Sequence, residues 1–459
     1  MTVKALMPVR ILNLVAPLPH EGTDMRTTDT DGSSRVWSGA VSPLIGDSLR
    51  WGDVDSANER STRPTTHGIR TSTTATRTTT TRSSRPALAP AADSSFSFSA
   101  LVQAYLDCRQ HKRNTTTALA FEANLERNLC DLFDELQAGT YRPGRSICFV
   151  ITRPKPREVW AADFRDRIVH HLLYNRVGRK IEASFIADSC ACIPGRGTLY
   201  AAKRLEAKVR SITENWSRPA WYLKLDLANF FVSIDKRILR DQLASRIDSP
   251  WWLRLAETIL FHDPRENFEL RGSPAKIHLV PPHKRLGNQP AHLGLPIGNL
   301  SSQFFANVYL DALDQHCKHD LHARHYIRYV DDFVLLHESP QWLNAALADI
   351  ASFLPDRLNV RLNTSKTILQ PVDRGVDFVG HVIKPWHRVT RRRTFNEAIR
   401  RTATMPADEL FETANSYFGL LRQSSHHHHD CACLANVLRK RGHTISGDVS
   451  KTYRRSNAA

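Results

Sequence analysis

Three aspartates and their spacing carry the chemistry this chain can do. Asp226 sits where the apolar run 221–227 ends. Asp331 and Asp332 stand side by side between two apolar runs, residues 326–330 and 333–336. That is a hairpin pattern, with both carboxylates at its tight turn. Adjacent carboxylates repel each other and cost stability unless a cation compensates them. Hard oxygen ligands select Mg²⁺, with Mn²⁺ as the alternative. If the end of the first run lies beside the turn, three carboxylates converge. Such a set can hold two ions roughly 3.5–4 Å apart, the clamp for in-line phosphoryl or nucleotidyl transfer. A lone Asp-Asp turn is usually a solvated hairpin. Apolar runs on both sides of this one would bury it in a sheet, an odd place for an idle charge pair.

The surrounding sequence supplies the elements that must position these groups. Apolar residues at three- and four-residue spacing predict helices over 98–110 and 118–139, with Gly139 at the C′ position of the second. Residues 146–152 read as a strand, 163–183 as a helix and 221–227 as a short buried strand. Helices and strands alternate from there to Val382, which favours an α/β or α+β enzyme. Residues 261–289 are rich in Pro, His and charge, and read as an exposed loop inserted into this pattern. The first 95 residues differ from the rest. From Ser61 to Arg85, fifteen of twenty-five positions are Ser or Thr, five are Arg and none is acidic. Such a segment cannot bury enough apolar area to offset its ordering entropy, and a disordered tail is expected.

The 459 residues carry a formal net charge of +17, which points to a polyanionic partner such as nucleic acid. Residues 1–95 hold eleven Lys and Arg against nine Asp and Glu, so +15 of that charge lies on residues 96–459. No apolar run approaches the ~20 residues of a membrane span. Eight cysteines in a chain this long do not make a disulfide scaffold. They read as reduced thiols in a cytoplasmic protein without a membrane partner.

Seven segments, in order, resemble the motifs of reverse transcriptases. Tyr329-Val-Asp-Asp332 is similar to their Y-x-D-D box, and the segment around Asp226 to their first catalytic motif. Arg153-Pro-Lys-Pro-Arg157 with Asp163-Phe-Arg-Asp-Arg167 resembles the fingers motif, and Cys192-Ile-Pro-Gly-Arg-Gly197 the next. Gly294-Leu-Pro-Ile-Gly-Asn-Leu-Ser-Ser-Gln303 is similar to the motif before the catalytic hairpin. Leu362-Asn-Thr-Ser-Lys366-Thr and Val376-Asp-Phe-Val-Gly380 resemble the lysine motif and the primer-grip region.

The resemblance implies an α+β right-hand polymerase fold. Fingers with N-terminal helices would span 96–220, a palm 221–384, and a short helical thumb with a C-terminal tail 385–459. It implies RNA-templated DNA synthesis, with template RNA, DNA primer or product, and dNTPs as partners. Asp226, Asp331 and Asp332 would be the catalytic metal ligands, joined by the main-chain carbonyl of Leu227. Phe231 would lie under the incoming sugar and exclude a 2′-hydroxyl. Strand alternation would leave Phe230 to the core. Lys155 and Arg157 lie where the fingers meet the triphosphate, Arg157 through its bidentate fork, or equally the template. Arg196 would order backbone near the template. Lys366 would protonate the leaving pyrophosphate or pair with a carboxylate. The basic run at residues 387–393, with Arg388, Arg391, Arg392 and Arg393, would track the template–primer backbone.

One motif departs from most of the family. Ile297 stands where a Gln that touches the incoming nucleotide is common, and Gln303 where a Pro is common; the resemblance implies that both line the dNTP site and that the apolar Ile297 loosens selection. That form resembles the error-prone enzymes of diversity-generating retroelements, which leaves antiphage-defence enzymes and a polymerase-inactive RNA-binding protein as the alternatives. A small basic accessory protein or a noncoding RNA is the further partner these systems imply. His426 to His429, Asp430, Cys431 and Cys433 lack zinc-finger spacing and read as a solvated loop before a last helix.

Overall fold

A computed structural model of the chain describes residues 96–110, 115–153 and 155–453. The expected disordered tail, residues 1–95, lies outside the described residues.

The apolar runs that flank the aspartates pair with one another. Strands β3 (Trp221–Asp226), β5 (His325–Tyr329), β6 (Asp332–His337) and β7 (Ile368–Pro371) form an antiparallel sheet in the order β5-β6-β3-β7. Period-2 alternation then gives each face its own core. On one face Leu223, Leu225, Tyr326, Phe333 and Leu335 join the large core, together with the helices Leu300–Gln315 and Pro340–Leu358. On the other, Tyr222, Ile327, Val334 and Leu336 pack with Leu205 and Val209 of the helix Thr198–Ile212. Covered on both faces, the sheet is a rigid base for whatever stands at its edge.

A second sheet, in the order β2-β1-β4, comprises β1 (Ser146–Ile151), β2 (Arg157–Ala161) and β4 (Phe268–Arg271). A third is the meander β8 (Val376–Phe378), β9 (His381–Lys384) and β10 (His387–Thr390). Its first turn is Val379-Gly380, with φ of 45° and 86°. Two consecutive positive φ values are what a tight hairpin turn requires. Three helices follow, Arg392–Thr404, Ala407–Leu421 and His427–Lys440, around a separate apolar cluster that includes Leu410, Phe418, Leu434 and Leu438. This α+β arrangement is the right-hand polymerase fold.

Several local expectations are corrected. The helix expected over 118–139 is two, Thr116–Glu122 and Leu125–Gln137, broken at Asn124. The helix expected over 163–183 passes through a π-turn at Tyr174–Gly178. Residues 261–289 are no plain loop. They contribute β4, which pairs in parallel with β1, and Leu286 packs beside Trp160 and Cys148. Parallel pairing with a distant strand leaves no local pattern in the sequence. The histidine run is also not a loop, since His427 to His429 open the last helix. Among the described residues, no helix is long and apolar enough to cross a membrane.

Candidate active site

The strand register brings the aspartates together. Asp226 and Asp332 are direct partners across β3 and β6, and Leu227 N–H donates to the Asp331 carbonyl at 3.3 Å. Alternation places Asp226 and Asp332 on the sheet face of Tyr222 and Val334. The turn is Val330-Asp331, and Asp332 already belongs to β6 rather than to the turn.

Electrostatics follows from this crowding. Burial, then the negative charges of Asp226 and Asp332, push the Asp331 carboxyl up to about 6. Burial also raises Asp332, against the pull of Lys224. Asp226 has its own partners. Lys366 Nζ lies 2.6 Å from both of its carboxylate oxygens, and Asn363 Nδ2 donates to Oδ1 at 2.9 Å. Asn363 N–H further donates to the Asp226 carbonyl at 2.7 Å. Lys366 therefore pairs with a carboxylate in this structure. Asn363 sits inside the quoted lysine motif, yet only the lysine was singled out from the sequence.

Among the described residues, no three His, Cys, Asp or Glu side chains are gathered closely enough to hold one ion. The donor set nevertheless suits a divalent cation. It is all carboxylate oxygen, its members repel, and a lysine ammonium rests where positive charge is needed. The Lys366 side chain is 47% exposed and can swing outward to make room.

Phe231 and Ile297 come from adjoining segments. Leu295 N–H donates to the Phe231 carbonyl at 2.8 Å, and Gly294 N–H to the Ile234 carbonyl at 2.8 Å. Phe230 and Phe231 lie on a four-residue helix rather than on a strand, so alternation is not what separates them. Phe230 is buried and Phe231 half-buried. The half-buried Ile297 offers its carbonyl to Trp160 N–H of β2 at 2.8 Å. Gly298 follows at φ 129°, where an added Cβ would come 2.8 Å from Val159 Cγ1. Asn299, which the sequence did not mark, spans the same junction: Oδ1 accepts from Ala162 N–H at 2.9 Å and Nδ2 donates to the Trp160 carbonyl at 3.2 Å. Gln303 is half-buried one turn into the following helix.

The basic candidates divide into two groups. Lys155, Arg157, Arg392 and Arg393 are exposed, and no carboxylate pairs with them among the described residues. The Lys155 ammonium is lowered by Lys366 first, then by burial, Lys284, Arg157 and Arg393. Cations from four parts of the chain thus face one another, and of them Lys366 is the one paired with an acid, Asp226. The other group is spent on structure. Arg388 is buried, pairs with Glu206 at 2.6 Å and donates to the Gln423 carbonyl, so it is no template contact. Arg391 pairs with Asp377. Arg196 gives Nη1 to the carbonyls of Ile186 and Ser189 at 2.8 Å each. That orders backbone, and it withdraws that nitrogen from a nucleic acid.

A family model described as reverse transcriptase (RNA-dependent DNA polymerase) matches residues 153–383, half of the chain. Protein YkfC of Escherichia coli (strain K12) is 24% identical over 339 residues, 65% of this chain and 81% of that protein. Among solved structures, apo telomerase from Candida tropicalis aligns with a TM-score of 0.43 and 10% identity, over 65% of this chain and 57% of that one. The same apo telomerase truncated from its C-terminal domain gives a TM-score of 0.40 and 12% identity, over 52% and 53%. The chain spans about half the length of these telomerase chains.

Proposed function

Because this chain belongs to the reverse transcriptase (RNA-dependent DNA polymerase) family, we propose that it copies RNA into DNA at Asp226, Asp331 and Asp332. The observation that supports this most directly is the register pairing of Asp226 with Asp332, with Asp331 beside them in the turn. Two Mg²⁺ ions would lower the charge on the triphosphate and activate the primer 3′-hydroxyl. The chain's own groups do the rest. Asp226, Asp331, Asp332 and the Leu227 carbonyl hold the cations. Lys155 and Arg157 bind and orient the triphosphate, and Phe231 excludes the 2′-hydroxyl. Lys366, released from Asp226, comes to hold the proton for the departing pyrophosphate. Arg392 and Arg393 hold the template–primer backbone. Fingers, palm and thumb divide near residues 220 and 384, with the 261–289 insertion adding a strand to the fingers sheet.

The biological setting we propose is a bacterial retroelement that copies with errors. Its support is the half-buried Ile297, whose apolar side chain cannot make the hydrogen bond that a Gln there would give an incoming nucleotide. The test is extension of a DNA primer on an RNA template. Asp226→Ala and Asp331→Ala should each abolish dNTP incorporation while RNA binding stays within a few-fold of wild type. An active Asp226→Ala enzyme would sink the assignment.

A further inference from the structure

On the sheet face opposite the aspartates, β5 carries an arginine that is only 1% exposed. Arg328 uses all five of its N–H donors. Nε donates to Asp314 Oδ1 at 2.7 Å and Nη2 to Asp314 Oδ2 at 2.6 Å, a bidentate pair. Nη2 also donates to Ser189 Oγ at 2.9 Å, and Nη1 to Asn307 Oδ1 at 3.3 Å. The remaining Nη1 proton goes to the main-chain carbonyl of Val330 at 3.0 Å. Val330 is the residue that turns the chain into Asp331, and it does so at φ 55°. A β-branched side chain rarely adopts that conformation. Something must hold it there, and strain of this kind persists where the surroundings over-determine it.

The surroundings do so. Asp314 and Asn307 belong to the long helix behind the sheet. Ser189 belongs to the segment that runs parallel to β5, where Arg328 N–H donates to the Asp188 carbonyl and Cys190 N–H to the Arg328 carbonyl, both at 2.9 Å. Asn307 Nδ2 ties the helix to that segment through the Ala191 carbonyl at 2.8 Å. Arg328 therefore joins three elements to one carbonyl.

We propose that Arg328 is a positioning residue: clamped by Asp314, it fixes the Val330 carbonyl and thereby the turn that presents Asp331 and Asp332. A point charge on a flexible stem cannot replace the fork, because Nε and Nη2 must meet Asp314 while Nη1 meets Val330. The inference rests on the polymerase reading of the aspartates, and its test separates the two.

Three variants are measured. Arg328→Lys keeps the charge beside Asp314 and loses the fork. Arg328→Met with Asp314→Leu replaces the buried pair by apolar side chains, an exchange that cores tolerate. Val330→Gly, added to either, frees the turn residue to adopt positive φ without a clamp. For each, thermal unfolding, template–primer affinity, Mn²⁺ binding by electron paramagnetic resonance, and kcat and KM for dNTP are recorded. Misplacing the reacting groups by an ångström costs about 100-fold, so kcat should fall ~30- to 100-fold with KM for dNTP within threefold. Mn²⁺ affinity should fall with kcat. Adding Val330→Gly should recover at least tenfold of kcat. If a folded Arg328→Lys or Met/Leu variant keeps kcat and Mn²⁺ affinity within threefold of wild type, the positioning role is refuted. It is equally refuted if activity falls only in step with the folded fraction and Val330→Gly recovers none of it. If wild type binds Mn²⁺ and the variants do not, but wild type incorporates no dNTP, positioning stands and the polymerase reading fails.

Discussion

Removing one charge from the carboxylate cluster should stabilise the metal-free protein while it destroys activity. The perturbation is Asp331→Asn. The Asp331 carboxyl moves from its ordinary 3.8 to about 6 because it is buried beside Asp226 and Asp332. A displacement of that size corresponds to ~3 kcal/mol of penalty on the charged form. Asp331 is only half-buried by surface area, so water screens part of the repulsion and about 1–2 kcal/mol is the better figure. The folded state holds this proton more tightly than the unfolded chain does. Between about pH 4 and pH 6 it therefore binds more protons, and stability falls as pH rises through that window. Above pH 6 the penalty is complete, and below pH 4 both states are protonated and it disappears. In EDTA at pH 7.5, Asp331→Asn should thus melt ~2–3 °C above wild type. At pH 4 the difference should vanish. Mg²⁺ at pH 7.5 should raise the wild-type Tm and move the variant less, while primer extension by the variant is undetectable. Differential scanning calorimetry over pH, with and without Mg²⁺, reads all of these. A variant that melts below wild type in EDTA at pH 7.5, or that gains equally at both pH values, would falsify the repulsion argument.

Lys366→Met removes the ammonium that sits 2.6 Å from both oxygens of Asp226. A half-exposed pair contributes about 1 kcal/mol, so the Mg²⁺ concentration at half-maximal thermal shift should drop ~5-fold while kcat falls; an unchanged midpoint would mean that the lysine does not compete with the cation. Phe231→Ala should raise rNTP use relative to dNTP ~10- to 100-fold in competition assays, and an unchanged ratio would remove the sugar-gate role. Ile297→Gln should lower misincorporation, read by sequencing the products; identical error spectra would end the argument for loosened selection.

How much of this could be read beforehand depends on where each residue's partner lies. The aspartates were legible because apolar runs of strand length flank them, and pairing such runs puts Asp226 opposite Asp332. The basic residues were not, because an arginine reads the same in sequence whether it faces a phosphate or a buried acid. The partner of Arg388 is Glu206, 182 residues away, and that of Arg391 is Asp377 of β8, on the far side of the meander. Arg328 escaped notice for the same reason. Within Tyr-Ile-Arg-Tyr it breaks no alternation, and its acid is on a helix behind the sheet. Asn299 and Asn363 sit inside motifs singled out for other residues; Asn299 bonds main-chain groups that leave no trace in sequence, and Asn363 bonds a carboxylate 137 residues away.

The same sorting decides what the positive charge is for. Residues 96–459 carry +15, and a count cannot say which cations are available. Those already neutralised by ion pairs, such as Arg388, Arg391, Arg328 and Arg246, add nothing to an outward field. The exposed remainder includes Lys155 and Arg157 at the tip of β1 and β2, Lys284 in the insertion, and Arg393 at the start of the helix Arg392–Thr404. Lys366 first, then burial, and then Lys284, Arg157 and Arg393 lower the Lys155 ammonium. An arrangement in which cations from separate elements raise one another's energy is stable only because the rest of the fold imposes it. It is relieved by a polyanion that lies among them. On the function proposed above, positive rim and acidic floor would take complementary parts of one ligand: phosphates for the rim, and metal ions for the floor.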